Sequence, residues 1–232
     1  MGKEVEFKIP ISLENFGNNV LGKIESNPKF VRMNDITFKR DAYFSSANDF
    51  TNDGKVIRLR KDAVHHNVIL PETFDARRDL FIKQFTTSNY GVDLKHSDIY
   101  SDFDLHFYLT RKIKRVVDGN EINDEYETEI ADDVYDNIYD CFSGLGHKPY
   151  FRKIKTAVNV VFDQDDPKYH YELVSVNRLI YLECEYVGNK FDNLKLTPLA
   201  VPPLAIMEKM CSEIGLDPSN KDVRPWKDII KQ

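Results

Sequence analysis

The chain has 232 residues, of which 41% are hydrophobic and 30% charged, with a formal net charge of −6. Such a composition supplies one hydrophobic core and excludes disordered, fibrous and membrane-embedded classes, while the acidic balance argues against a general nucleic-acid binder, which needs a basic surface to displace counterions. Three widely spaced cysteines, Cys141, Cys184 and Cys211, show no CxxC or Cys/His spacing, so neither a disulfide framework nor a structural zinc site is indicated, and all three are expected to be small core residues.

No apolar signal-peptide core precedes the first strand pattern, so a cytoplasmic location is expected. Over residues 3–10, Val5, Phe7 and Ile9 alternate with Glu4, Glu6 and Lys8, which predicts a strand with one apolar and one charged face. A helix is predicted over 12–26, capped by Ser12, with Leu13, Phe16, Val20, Leu21 and Ile24 on one stripe. Strands follow over 37–45 and 55–61. The stretch 62–104 mixes a strand-like run, Leu80 to Phe85, with the turn-rich Ser88-Asn89-Tyr90-Gly91, and is expected to be an insertion in a single domain spanning 1–232.

Residues 105–117 and 121–130 are predicted to pair as a hairpin around Asp118-Gly119. A second helix is expected over 132–143, with Val134, Ile138, Cys141 and Phe142 on its apolar side and Gly144 and Gly146 ending it. Strands over 150–162, 169–176 and 179–187 follow, then a helix over 203–214 that opens at Pro202-Pro203, stops at Gly215 and turns Leu204, Met207, Cys211 and Ile214 inward. Eight or more strands with mostly short connections predict an α+β fold in which an antiparallel sheet closes into a barrel, which also removes exposed edges.

Charged residues recur two apart inside these strands: Glu4/Glu6/Lys8, Arg58/Arg60, Lys112/Lys114, Glu125/Glu127/Glu129, Lys153/Lys155 and Glu183/Glu185. Spacing two places each set on one face. A solvated outer face accounts for any one set, but six sets, three mostly acidic and three basic, suit a lined site better than a surface of mixed polar residues. A triphosphate requires several Lys and Arg donors, and phosphoryl transfer requires a divalent cation held by carboxylates. Lys8, Arg58, Arg60, Lys112, Lys153 and Lys155 are therefore the candidate phosphate contacts. Glu4, Glu6, Glu125, Glu127, Glu183 and Glu185 are the candidate ligands for Mg2+ or Mn2+, and Glu4, Glu6, Lys8 and Lys112 the candidate catalytic residues. His65 and His66 read as solvated, and Tyr43 and Trp226 as core or rim aromatics that are also able to stack on a base.

These motifs, taken in order, resemble the CYTH family of triphosphate tunnel metalloenzymes, which includes class IV adenylyl cyclases, thiamine triphosphatases and inorganic tripolyphosphatases. Glu4-Val5-Glu6-Phe7-Lys8 is similar to its ExExK strand. Asp41-Ala42-Tyr43-Phe44 with Gly54 to Arg60, Leu109-Thr110-Arg111-Lys112, Glu125 to Glu129, Leu145 to Pro149 with Lys153 and Lys155, Leu182 to Glu185, and Arg224 to Ile230 follow the family's order across almost the whole chain except 62–104. The resemblance implies an eight-stranded triphosphate tunnel with flanking helices. Asn123 and Ala157 stand where the family commonly carries arginine, so two phosphate contacts differ. Arg77, Arg78 and Lys83 offer replacements, though an exposed basic loop also accounts for them. Lys83 is also an alternative to Lys112 for the phosphate-positioning lysine, with Lys112 preferred because the acidic strand follows it across the hairpin.

Two chemistries use such a tunnel: metal-dependent hydrolysis of a nucleotide, thiamine triphosphate or tripolyphosphate, and cyclisation of ATP to cyclic AMP and pyrophosphate by a class IV adenylyl cyclase. The His-Phe pair that precedes ExExK in some cyclases is absent, which favours hydrolysis. A third reading is a non-catalytic nucleotide or polyphosphate binding module, which has no need of six metal-suited carboxylates.

Overall fold

Alternating sequences that are apolar on one face and charged on the other cannot hide both faces in an open sheet, and the chain resolves this by closing the sheet. The computed structural model describes residues 2–44, 55–86, 103–117, 120–163, 168–188, 201–222 and 224–230. Its strands are β1 (Gly2–Ile11), β2 (Phe30–Arg32), β3 (Ile36–Phe44), β4 (Lys55–His65), β5 (Asp104–Val117), β6 (Asn120–Ile130), β7 (Pro149–Asn159), β8 (Val161–Phe162), β9 (Tyr169–Val176) and β10 (Leu179–Gly188). Eight of them form a closed antiparallel barrel in the order β1-β10-β9-β7-β3-β4-β5-β6, and β2 pairs with β8 outside it.

The barrel is inverted relative to one filled by apolar side chains. Val5, Phe7 and Ile9 of β1, Leu173 of β9 and Leu182 and Cys184 of β10 point outward into the main core. There they meet Phe16 and Val20 of a π-helical turn (Phe16–Val20) between α1 (Leu13–Asn15) and α2 (Leu21–Ser26), Phe81 and Phe85 of α3 (Phe74–Thr86), and Met207 and Cys211 of α5 (Val201–Glu213). Burying each such side chain contributes roughly 1.5–3 kcal/mol. α4 (Asp132–Gly144) covers Ala42, Phe44 and Leu59 on the other side, and the short α6 (Trp226–Ile230) packs Trp226 and Ile229 against Ala157, Val174, Val176 and Tyr181. No described helix is long and apolar enough to cross a membrane.

The strand-like run Leu80 to Phe85 lies in a helix. Thr73 opens α3 by accepting the Ala76 N–H on its hydroxyl at 3.3 Å and the Arg77 N–H on its carbonyl at 3.1 Å. The residues that matter are then Phe74, Phe81, Ile82 and Phe85, whose spacing is helical and not alternating. Phe85 packs edge-on against Phe16 with ring centroids 5.4 Å apart. Phe85→Ala is expected to cost about 3–5 kcal/mol in a urea titration; a cost below about 1 kcal/mol would contradict this docking of α3. Ser88 to Gly91, Gly54 and the Asp118-Gly119 turn lie outside the described residues.

Other expectations shift by a face or a break. Leu13 is 44% exposed, so the first helical stripe begins at Phe16. On α4 the inward side is Tyr135, Ile138, Tyr139 and Phe142, spaced i, i+3, i+4, i+7, while Val134 and Cys141 face solvent. Only Cys184 and Cys211 are core cysteines; both are free thiols, with sulfurs 3.4 Å apart. The 150–162 strand breaks at Val160, where the chain leaves the barrel and β8 joins β2. Gly146 and Gly215 end their helices with φ of +84° and +80°, the left-handed conformation that glycine adopts without a Cβ clash.

Candidate functional site

The inward faces of the eight strands enclose a cavity of about 340 Å³. Because side chains alternate, each spacing-two set enters it as a row. Glu4, Glu6, Arg58, Arg60, Lys112, Glu125, Glu127, Lys153, Lys155, Glu183 and Glu185 all line it. Lys8 points inward and is 1% exposed, yet it stands behind the lining, with its ammonium 3.9 Å from Glu121 and 5.9 Å from the Trp226 ring. Arg77 is held outside the barrel by Glu25, and Arg78 by Asp75 and Asp79; neither they nor Lys83 line the cavity, so they do not replace Asn123 or Ala157.

The charges are segregated around the wall. On β1, β6 and β10 the lining is acidic; on β3, β4 and β7 it is mostly basic, with β5 between β4 and β6. On the acidic side the Lys112 ammonium lies 3.0 Å from Glu4, 3.0 Å from Glu125 and 3.6 Å from Glu6. Arg58 reaches across from β4 to Glu125 and Glu127, both at 2.8 Å, and to Thr110 at 3.2 Å. Burial drives the Glu4 carboxyl up to about 10; Lys112 opposes this, and the neighbouring Glu185 and Glu125 add to it. Burial also raises Glu185, helped by Glu6. At Glu6 and Glu125 burial acts the same way but is outweighed, by Lys112 and Lys8 at Glu6 and by Lys112 and Arg58 at Glu125, and both fall below the usual carboxylate range.

On the basic side Asp41 is the organising group. Its shielded carboxylate accepts from Arg60 Nε at 2.7 Å, from the Tyr43 hydroxyl at 3.0 Å and pairs with Lys153 at 3.1 Å. Arg60 and Lys153 outweigh the effect of burial and hold Asp41 well below its ordinary value. Lys155 bridges Glu183 at 2.6 Å and Glu172 at 3.0 Å, and Lys39 also reaches Glu172, at 2.7 Å. Trp226 closes part of the wall: its indole N–H donates to Glu183 at 2.8 Å, with Lys8 and Lys153 near its ring.

Several residues of this network carry no assigned role in the sequence. Lys39 and Asp41 alternate with opposite signs, which blurs the one-sign pattern, and Glu172 is a lone acid on β9. Glu121 lies two residues before Asn123, so extending the acidic row backward by the same spacing would have found it. It accepts from the Lys114 ammonium at 2.6 Å.

The donor set fits a hard divalent cation, since it consists of carboxylate oxygens joined by one buried amide. Asn123 is fully buried; its Nδ2 donates to Glu121 at 3.0 Å and Glu6 at 3.4 Å, while its Oδ1 has no partner. Among the described residues no three acidic, histidine or cysteine side chains are arranged as a ready-made metal cage. The reason is visible in the distances: the carboxylates of β1 and β6 are turned onto Lys112 and Arg58.

No family model matches the chain, and no curated protein matches it in sequence. Solved structures do. A Pyrococcus horikoshii protein, PH1819, is 17% identical, with 98% of each chain covered and a TM-score of 0.65. A candidate adenylate cyclase from Vibrio parahaemolyticus is 13% identical over 99% of this chain and 98% of that one, at a TM-score of 0.59. A candidate adenylyl cyclase from Hippeastrum with a dominant triphosphatase activity is 10% identical over 100% of this chain and 95% of that one, at 0.53. At these identities the likeness is one of fold, and it is the closed barrel that the sequence motifs imply.

Proposed function

We propose that this chain, which has the triphosphate tunnel fold of the CYTH family, hydrolyses a triphosphate with the help of Mg2+ or Mn2+. The observation that carries the proposal is the division of one cavity inside the barrel into a basic wall and an acidic wall. Arg58, Arg60, Lys153 and Lys155 present cationic donors to a linear chain of phosphates, and arginine does so in a bidentate geometry. Glu4, Glu6, Glu125, Glu127, Glu183 and Glu185 supply the oxygen ligands opposite, with Glu127 at the rim, its side chain 35% exposed. A divalent cation bound there would neutralise charge on the phosphoryl oxygens and favour attack by water. Lys112, between the two walls, meets the charge that builds on the transferred phosphoryl group. Lys8 adds positive potential from behind Trp226 without touching the cavity.

Hydrolysis is favoured over cyclisation because the aromatic groups of the cavity are engaged. Tyr43 lies against Phe151 and bonds Asp41, and Trp226 bonds Glu183 between two lysines. Turning either ring to stack on an adenine base would break these contacts. The triphosphatase activity of the Hippeastrum protein is in keeping with this reading.

The test is product analysis with tripolyphosphate, thiamine triphosphate and ATP, before and after chelation and after restoring Mg2+ or Mn2+. Metal-dependent orthophosphate release is expected. Cyclic AMP with pyrophosphate would make the protein a cyclase, and absence of any product would leave a binding module. Arg58→Ala is expected to raise KM roughly 10- to 100-fold, the worth of a hydrogen bond to a charged group; an unchanged KM would remove Arg58 from the phosphate contacts.

A further inference from the structure

The Lys112 ammonium sits among three carboxylates, 3.0 Å from Glu4, 3.0 Å from Glu125 and 3.6 Å from Glu6, the position a bound cation of this site would compete for. We infer that Lys112 is a built-in counter-ion of the acidic wall, displaced by a divalent cation toward the phosphate side, so that metal and phosphate binding reinforce each other. The inference rests on the reading of the cavity as a metal and phosphate site.

Topology makes the exchange local. β5 lies between β6, which carries Glu125, and β4, which carries Arg58 and Arg60. In register, Lys112 faces Glu125 on one side and the uncharged Val56 on the other. A lysine has a flexible four-carbon stem and a compact point charge, so its ammonium turns from one neighbour strand to the other without moving the backbone.

Two like charges cannot share three carboxylates a few ångströms apart without strong repulsion. A metal ion entering the site therefore expels the ammonium, and the nearest place that rewards a free positive charge is a phosphate on the basic wall. With no phosphate present, the expelled ammonium lacks that anion and metal binding is weakened. Arg58 behaves in parallel: it holds Glu125 and Glu127, and its Nε is buried without a partner, so it too gains an anion when the carboxylates turn to metal. Coupling of this kind is reciprocal by linkage.

The experiment is a Mn2+ titration of the phosphate-free protein, following loss of the free-ion electron paramagnetic resonance signal. Lys112→Met is expected to bind Mn2+ at least about tenfold more tightly than wild type, because the competing charge is gone. A merely structural lysine would give the opposite, weaker binding. Inorganic phosphate should tighten Mn2+ binding in wild type and do so less in the variant, where only Arg58 still couples the two. Lys112→Gln serves should the methionine variant fail to fold, with circular dichroism deciding. If wild type binds Mn2+ and turns over triphosphate while both variants bind Mn2+ no tighter, this role for Lys112 is overturned and the reading of the site stands. If wild type neither binds Mn2+ nor turns over triphosphate, both fall.

Discussion

Replacing Glu6 with glutamine is expected to leave the barrel folded and to lower triphosphate turnover at least about 100-fold, since losing even the outer-shell partners of a metal ligand costs 10- to 100-fold. Glu6 is placed by β1, whose outward residues Val5 and Phe7 are locked in the core, so its inward direction does not depend on the charges around it. Opposite it in register are Glu185 on β10 and Glu121 on β6, and Asn123 donates to it at 3.4 Å. Glutamine keeps the shape and an accepting oxygen but removes the charge that a divalent cation needs. Lys112 retains Glu4 and Glu125, so no cation is left without a partner and the fold survives. Kinetics beside a thermal melt separate the two effects, and a folded Glu6→Gln variant with wild-type turnover would take Glu6 out of the site.

Asp41→Asn is expected to act chiefly on stability, by about 3–5 kcal/mol, because it strips the shared partner from two buried cations. Arg60 and Lys153 share this carboxylate, whose side chain is shielded completely from solvent, and Arg60 has besides it the more distant Asp62, at 3.8 Å. The pH dependence has a definite sign. The folded-state value of Asp41 lies well below the unfolded carboxylate value near 4. Its stabilisation is therefore fully present above that value and is lost as pH falls toward the folded value. Urea titrations at pH 7 and pH 3 should show the difference between wild type and Asp41→Asn shrinking in acid. A difference that is below about 1 kcal/mol at pH 7, or that grows in acid, would show that Asp41 does not carry this pairing.

Much of this architecture is legible in the sequence because a closed barrel imposes period two on every strand. Val5, Phe7 and Ile9 outward with Glu4, Glu6 and Lys8 inward is the whole design in one segment, and the same alternation located β3 to β7, β9 and β10 to within a few residues. Legibility fails where a second periodicity intrudes. Leu80 to Phe85 contains alternating apolar residues as well as the Phe81/Phe85 helical pair, and only the packing against Phe16 decides between them. On α4, Val134, Ile138 and Cys141 trace one helical stripe, but the barrel meets the neighbouring stripe of Tyr135, Ile138, Tyr139 and Phe142, whose aromatic rings bury more area. For the cavity, rows of one sign were visible, whereas Asp41 stood out only as the first residue of a motif and Glu172 not at all. Their meaning lies in partners on other strands, Arg60 and Lys153 in register for the first and Lys39 and Lys155 across the closed barrel for the second.

The most direct test of the account is a crystal structure grown with tripolyphosphate and Mn2+, with anomalous scattering used to place the metal. The prediction is a manganese peak against Glu4, Glu6, Glu125, Glu183 or Glu185 and a phosphate chain along Arg58, Arg60, Lys153 and Lys155, with the Lys112 ammonium moved from the carboxylates to a phosphoryl oxygen. A cavity that takes up neither metal nor phosphate under those conditions, with Lys112 still held by Glu4 and Glu125, would contradict it.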